Sequence, residues 1–133
     1  MNIQVRYYSR GGNTKTLAEA IASSVNTNAI SIDSDNAKIN EKVDVLFIGG
    51  ALYAYGLDNN IKEYISNLDA SNIGKAVVFS TSWISKHSID LLKKELTKKN
   101  IDVVEDYLYY KNKPTDEELN EAKTIVKEII EKL

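Results

Sequence analysis

What the chain lacks narrows its chemistry first. None of its 133 residues is cysteine, which removes disulfide scaffolds, thiolate zinc sites and cysteine nucleophiles in one step. The single histidine, His87, argues against a multi-histidine metal centre and most acid–base relays. Near a helix start it reads as a surface cap or a solvated residue, and no metal site is expected. Long apolar runs are also missing: none is long enough to cross a bilayer, and the N-terminus lacks the charged-then-apolar layout of a signal peptide. Nor does one sign of charge dominate. The formal net charge is −2, with both signs mixed along the chain, so neither a nucleic-acid face nor a polybasic membrane anchor is expected. The length suits one domain over residues 1–133 that buries its core without staples, in the cytoplasm by default.

What is present alternates. Strand patterns occur at Ile3, Val5 and Tyr7, weakly at Ala29 to Ile32, at Val43 to Ile48, at Lys75 to Ser80 and at Ile101 to Tyr110. The runs VLFI and AVVF suit strands covered on both faces, the habit of parallel sheets. Helical periodicity links Leu17, Ala18, Ile21, Ala22 and Val25, then Ile61, Ile65 and Leu68, then Ile89, Leu92 and Leu96. Pro114, Thr115 and Glu118 predict a capping-box start for a last helix striped by Leu119, Ala122, Val126, Ile129, Ile130 and Leu133. Each stripe reads as core. Residues 33 to 42, DSDNAKINEK, fit a loop, a short helical turn or an irregular crossover. Right-handed connections between such units give an α/β protein, a three-layer α/β/α sandwich.

In open parallel sheets ligands bind beyond the carboxyl ends of the strands, where strand order reverses. The stretch YYSRGGNTKT lies at such an end, just before the first helix. Unpaired amides and the helix dipole make that position receptive to an anion. Gly11 and Gly12 allow the backbone to curl around it, and Ser9, Asn13, Thr14 and Thr16 supply short donors. The bland alternative is a helix start capped by Asn13 or Thr14, with no ligand. Neither a Walker loop nor GxGxxG is present.

Ser9, Arg10, Gly11, Gly12, Asn13 and Thr14 resemble the first loop of the flavodoxins, S/TxTGxT, which wraps the phosphate of FMN; KTLAEAIA then resembles that family's first helix. The family's middle Thr is Gly11 here, which removes a hydroxyl contact worth roughly 1.5–3 kcal/mol to a charged acceptor; Arg10 or Lys15 could compensate. The stretch IGGALYAYGLDNNIKEYI resembles the second loop of short bacterial flavodoxin-like proteins. The resemblance implies a flavodoxin-like five-stranded parallel sheet of order 2-1-3-4-5. It also implies FMN walled by Ala51, Tyr53, Tyr55 and Gly56 after the third strand and by Ser80, Thr81, Ser82 and Trp83 after the fourth. Gly56 matches the loop glycine whose carbonyl accepts from a flavin nitrogen, although the loop aligns equally on Tyr53 or Tyr55.

The implied function is electron transfer between redox partner proteins, a reductase and an acceptor, with the chain a monomer or a dimer. Two rivals stand beside it: an FMN-dependent NAD(P)H:quinone-type reductase, and a flavodoxin-like binding module that has lost FMN. Response-regulator receivers share the topology but need an acidic pair and a phosphorylated Asp where this chain has YYSR and GGAL.

Overall fold

A computed structural model describes residues 1–53, 56–83 and 85–133. The chain runs β1 (Ile3–Tyr7), α1 (Asn13–Ser24), β2 (Ala29–Ser31), β3 (Val43–Gly49), β4 (Leu52–Tyr53), β5 (Gly56–Leu57) and α2 (Asn59–Ser66). A single 3-10 turn (Ala70–Asn72) precedes β6 (Ile73–Ser80), α3 (His87–Lys98), β7 (Val103–Tyr109) and α4 (Asp116–Lys132). Five strands form one sheet in the order β2-β1-β3-β6-β7, every neighbouring pair parallel. Counted along that sheet, the order is the expected 2-1-3-4-5. The expected list lacks only β4 and β5, a small antiparallel hairpin that pairs Tyr53 with Gly56.

The alternation within β3 shows why three layers form. Val45 and Phe47 face one way, packing with Val5, Val77, Phe79 and Leu108 against Leu17 and Ile21 of α1 and Val126 and Ile129 of α4. Leu46 and Ile48 face the other, packing with Ala76 and Val78 against Ile61 and Ile65 of α2 and Leu92 and Leu96 of α3. Phe47 and Phe79 are fully buried, each contributing about 2 kcal/mol over leaving the ring in water. A β-strand with only one apolar face could not fill both layers.

With only 6 glycines in the chain, asparagine does part of their work. Asn26 and Asn100 turn left-handed, at φ 56° and 61°, just past α1 and α3. Backbone bonds from Thr27 to Ala22 and from Ile101 to Leu96 close those helix ends, the role a terminal glycine usually fills. The last helix starts as predicted: Thr115 Oγ1 accepts from the Glu118 amide at 3.1 Å, and Glu118 Oε1 accepts from the Thr115 amide at 3.0 Å.

Residues 33 to 42 contain neither helix nor strand and cross irregularly from β2 to β3. Their anchor is Ala37, 2% exposed, whose carbonyl accepts from Arg6 Nε at 2.8 Å and from the Tyr64 hydroxyl at 2.5 Å. Arg6 is itself buried and also donates to the Val5 carbonyl and Gln4 Oε1, so its guanidinium is satisfied by oxygens of the backbone and a side-chain amide. A buried charge needs such bonds to be tolerated at all. Among the described residues no helix is long and apolar enough to cross a membrane.

Candidate functional site

β1, β3 and β6 end level: Tyr7 pairs with Gly49, and Gly49 with Phe79. The loops that follow them therefore meet at one edge, where the chain steps from β1 outward to β2 on one side and to β3 on the other. That is the switch point of an open parallel sheet.

Ser9 to Thr14 build the first wall. Gly12 stands at the start of α1 with φ +94° and ψ −10°, a left-handed conformation that a Cβ would strain. Gly12, rather than Asn13 or Thr14, is the cap residue; Asn13 is the first helical residue, and among the described residues no side chain caps the helix. The early amides of α1 are thus left to a group from outside the chain. The Gly12 amide donates to Ser9 Oγ at 3.0 Å, closing the loop on itself. Thr16 Oγ1 donates to the Gly12 carbonyl. Among the described residues a Cβ built at Gly11 or at Gly12 would meet nothing within 4 Å, so the loop borders open space there. The two hydroxyls of Thr14 and Thr81, both buried, are 2.7 Å apart. That bond ties the first loop to the end of β6.

The second wall is the β4–β5 hairpin. Tyr53 projects from it and is 54% exposed, and a Cβ added to Gly56 would meet nothing within 4 Å. Ala51 lines the same cleft, whereas Tyr55 lies outside the described residues. The loop after β6 brings Thr81 to the same cavity; Ser82 and Trp83, the latter 66% exposed, follow it in the chain but do not line that cavity. The Tyr109 hydroxyl donates to the Ser82 carbonyl at 2.5 Å, fixing this loop to β7. Burial raises the Tyr109 phenol above its ordinary pKa, which keeps it a donor. Ser80 is committed elsewhere: its hydroxyl is 2.6 Å from that of Ser88, both fully buried, joining β6 to α3. His87 is exposed at the first position of α3, following Lys86 as cap residue.

Sequence reasoning missed Asp58. Its Oδ1 caps α2 by accepting from the Asn60 amide at 2.9 Å, and its Oδ2 accepts from Arg10 Nε at 2.6 Å. An Asp just before NNIKEYI is a readable cap signal, but its bond to Arg10, 48 residues away, leaves no local trace. The Arg10 guanidinium carbon also lies 3.5 Å from the centre of the Tyr53 ring. The bond to Asp58 raises the pKa of Arg10, so it is a fixed cation here. Arg10, Asp58, Tyr53, Thr14 and Thr81 share one cavity of about 150 Å³.

A glycine-rich loop opening a helix at the switch point of a 2-1-3-4-5 sheet, flanked by exposed aromatics from the next two loops, defines a flavodoxin-like nucleotide-binding α/β protein. The donor set fits a flavin bearing a phosphate: uncapped helix amides and hydroxyls at one end, aromatic side chains at the other. The comparisons agree. A flavodoxin-domain family model matches residues 4–110, and the chain belongs to that family. It is similar in structure to an archaeal flavodoxin, with TM-score 0.83 and 22% identity over 99% of this chain and 98% of that one. Oxidised flavodoxin 2 from Bacillus cereus superposes with TM-score 0.83 at 17% identity, over 100% of both chains. A short-chain flavodoxin associated with a non-canonical PDU bacterial microcompartment gives 0.76 at 15% identity, over 99% of each. No curated protein matches the sequence. Family membership makes the chain an electron-transfer flavoprotein and favours neither the nicotinamide-dependent reductase nor the flavin-free module.

Proposed function

We propose that this chain is an FMN carrier that passes electrons from a reductase protein to an acceptor protein in the cytoplasm. The observation that carries the reading is the start of α1: a left-handed Gly12, no side-chain cap, and open space around Gly11 and Gly12. In this reading the amides of Asn13 and Thr14 receive the FMN phosphate, with the Ser9 and Thr14 hydroxyls beside them. Thr14 can donate to the phosphate while accepting from Thr81, so its bond across to β6 orients it without consuming its proton.

Tyr53 and Trp83 present large apolar faces to the ring, and the Gly56 carbonyl is the acceptor for its protonated nitrogen. Tyr55, outside the described residues, is the other stacking candidate in the sequence. Thr81 and Ser82 approach the pyrimidine edge. Ser80, whose hydroxyl is bonded to Ser88, holds the end of β6 against α3 instead of offering a donor. The bound flavin supplies the redox chemistry; the protein excludes water, fixes the ring and supplies the charges around it.

Titrating the protein with FMN and with riboflavin, followed by flavin fluorescence, tests the reading. Charge-assisted hydrogen bonds to the phosphate contribute roughly 1.5–3 kcal/mol each, so FMN should bind at least about tenfold more tightly than riboflavin. Equal affinities would remove the phosphate role of Ser9 to Thr14.

A further inference from the structure

We propose that Arg10 is an exchangeable cation that trades the Asp58 carboxylate for the phosphate of an incoming flavin, so that Asp58 tunes how tightly phosphorylated flavin is held. The inference rests on the phosphate reading of the first loop. Arg10 belongs to that loop by sequence, next to Gly11 and Gly12, yet its guanidinium reaches across the cleft to the hairpin side. There its Nη2 is 2.5 Å from Asp58 Oδ2, with Nε on the same oxygen at 2.6 Å.

Three features make this an exchangeable contact. The Arg10 side chain is 48% exposed, whereas that of Asp58 is 6% exposed; the cation borders solvent and the carboxylate is enclosed. Among the described residues no neighbour stands within 4 Å of a Cβ built at Gly11 or Gly12, which leaves space beside the loop for a guanidinium. A phosphate monoester carries nearly two charges and three acceptor oxygens against the single charge of a carboxylate, which makes it the stronger partner for a fork of N–H donors.

Asp58 also tolerates the loss. Its other oxygen keeps the Asn60 amide, and its place at the start of α2 puts the positive end of a helix dipole beside it. Finally, the guanidinium covers one face of Tyr53 at 3.5 Å. A side chain stacked there and an aromatic ring of a ligand cannot share that face. Moving Arg10 to the phosphate therefore uncovers the tyrosine, coupling the phosphate end of the site to its ring end.

The test is a double-mutant cycle on FMN affinity, measured by fluorescence quenching in wild type, Asp58→Asn, Arg10→Gln and the double variant. Asn preserves the cap of α2 while removing the competing charge; Asp58→Ser, also a good cap, serves as an independent second version. Releasing a half-exposed ion pair should tighten FMN about fivefold. Arg10→Gln should weaken FMN more than riboflavin, and in the Arg10→Gln background the Asp58 substitutions should change FMN affinity less than twofold. If both Asp58 variants weaken FMN or leave it unchanged while Arg10 is present, the pair is a structural clamp and the exchange is wrong. The phosphate reading fails separately, by wild type binding FMN no better than riboflavin.

Discussion

Gly49 and Gly74 occupy the sheet, Gly11 and Gly12 its rim, and the two pairs are glycine for opposite reasons. A Cβ on Gly49 would lie 2.3 Å from the Phe79 ring and 2.6 Å from its carbonyl oxygen; one on Gly74 would lie 2.6 Å from the Asp44 carbonyl oxygen. In the sheet, neighbours have taken the space. At the rim nothing stands within 4 Å, and the loop keeps room it does not use for its own packing. A composition count treats these residues alike. The difference marks where the molecule spends its packing on stability and where it leaves surface for a ligand.

The largest effects should come from the sheet pair. Gly49→Ala must displace a fully buried ring and a backbone carbonyl at once, so it should lower stability by about 3 kcal/mol, the upper end of overpacking costs. Gly74→Ala meets backbone at a strand start and should cost about 2 kcal/mol. Urea melts check both. Loss of flavin binding without loss of stability in Gly49→Ala would break the comparison, because it would make a sheet glycine part of the site.

Thr14 joins the two regions, since its hydroxyl is buried at the rim and bonded to Thr81 at the end of β6. Thr14→Val keeps the shape but leaves the Thr81 hydroxyl buried without its partner, a cost of about 1–3 kcal/mol. In the phosphate reading it should also weaken FMN by removing a donor. A variant that lost stability with full FMN affinity would place Thr14 wholly on the structural side.

Four buried or half-buried tyrosines sharpen the contrast with exposed Tyr53. Desolvation is the main cause that raises the phenols of Tyr7, Tyr64, Tyr109 and Tyr110, and in Tyr110 the hydroxyl also donates to Glu121 at 2.9 Å. A raised folded-state pKa means their contribution is fully present below the unfolded value of about 10 and is lost as pH rises through the folded values. Stability should therefore be insensitive to these groups at neutral pH and decline above pH about 10. Tyrosinate absorbance during an alkaline titration checks this: all four titrating near pH 10 in the folded protein would contradict it.

The parts of the fold legible in the sequence are those with local signatures. The last helix carries its own capping box and stripe, and the runs VLFI and AVVF announce buried parallel strands. The β4–β5 hairpin was hidden because two-residue strands have no periodicity to read. The sequence leaves a loop, a short helical turn and an irregular crossover open for 33–42, because Arg6 and Tyr64 hold that segment through the carbonyl of Ala37, and a carbonyl has no residue identity. At the candidate site, SRGGNT was legible as a glycine-rich turn opening the first helix. Which glycine turned left-handed was not, nor was the Ser80 hydroxyl's bond to Ser88. The Arg10–Asp58 pair joins residues too far apart in sequence for any local rule to link them.

The smallest effect on stability should come from Gly11, and it bears on the comparison most directly. Gly11 has no positive φ, so an L side chain meets neither strain nor neighbours there. Gly11→Ala should change stability by less than about 0.5 kcal/mol, or raise it slightly by restricting the unfolded chain. Gly11→Thr places a hydroxyl where the family carries one; in the phosphate reading it should tighten FMN by about tenfold, the low end of a charge-assisted bond, with riboflavin unchanged. If both ligands weaken instead, the open space beside Gly11 is needed by the ligand itself, and the rim glycine, like Gly49, is there because something else must fit.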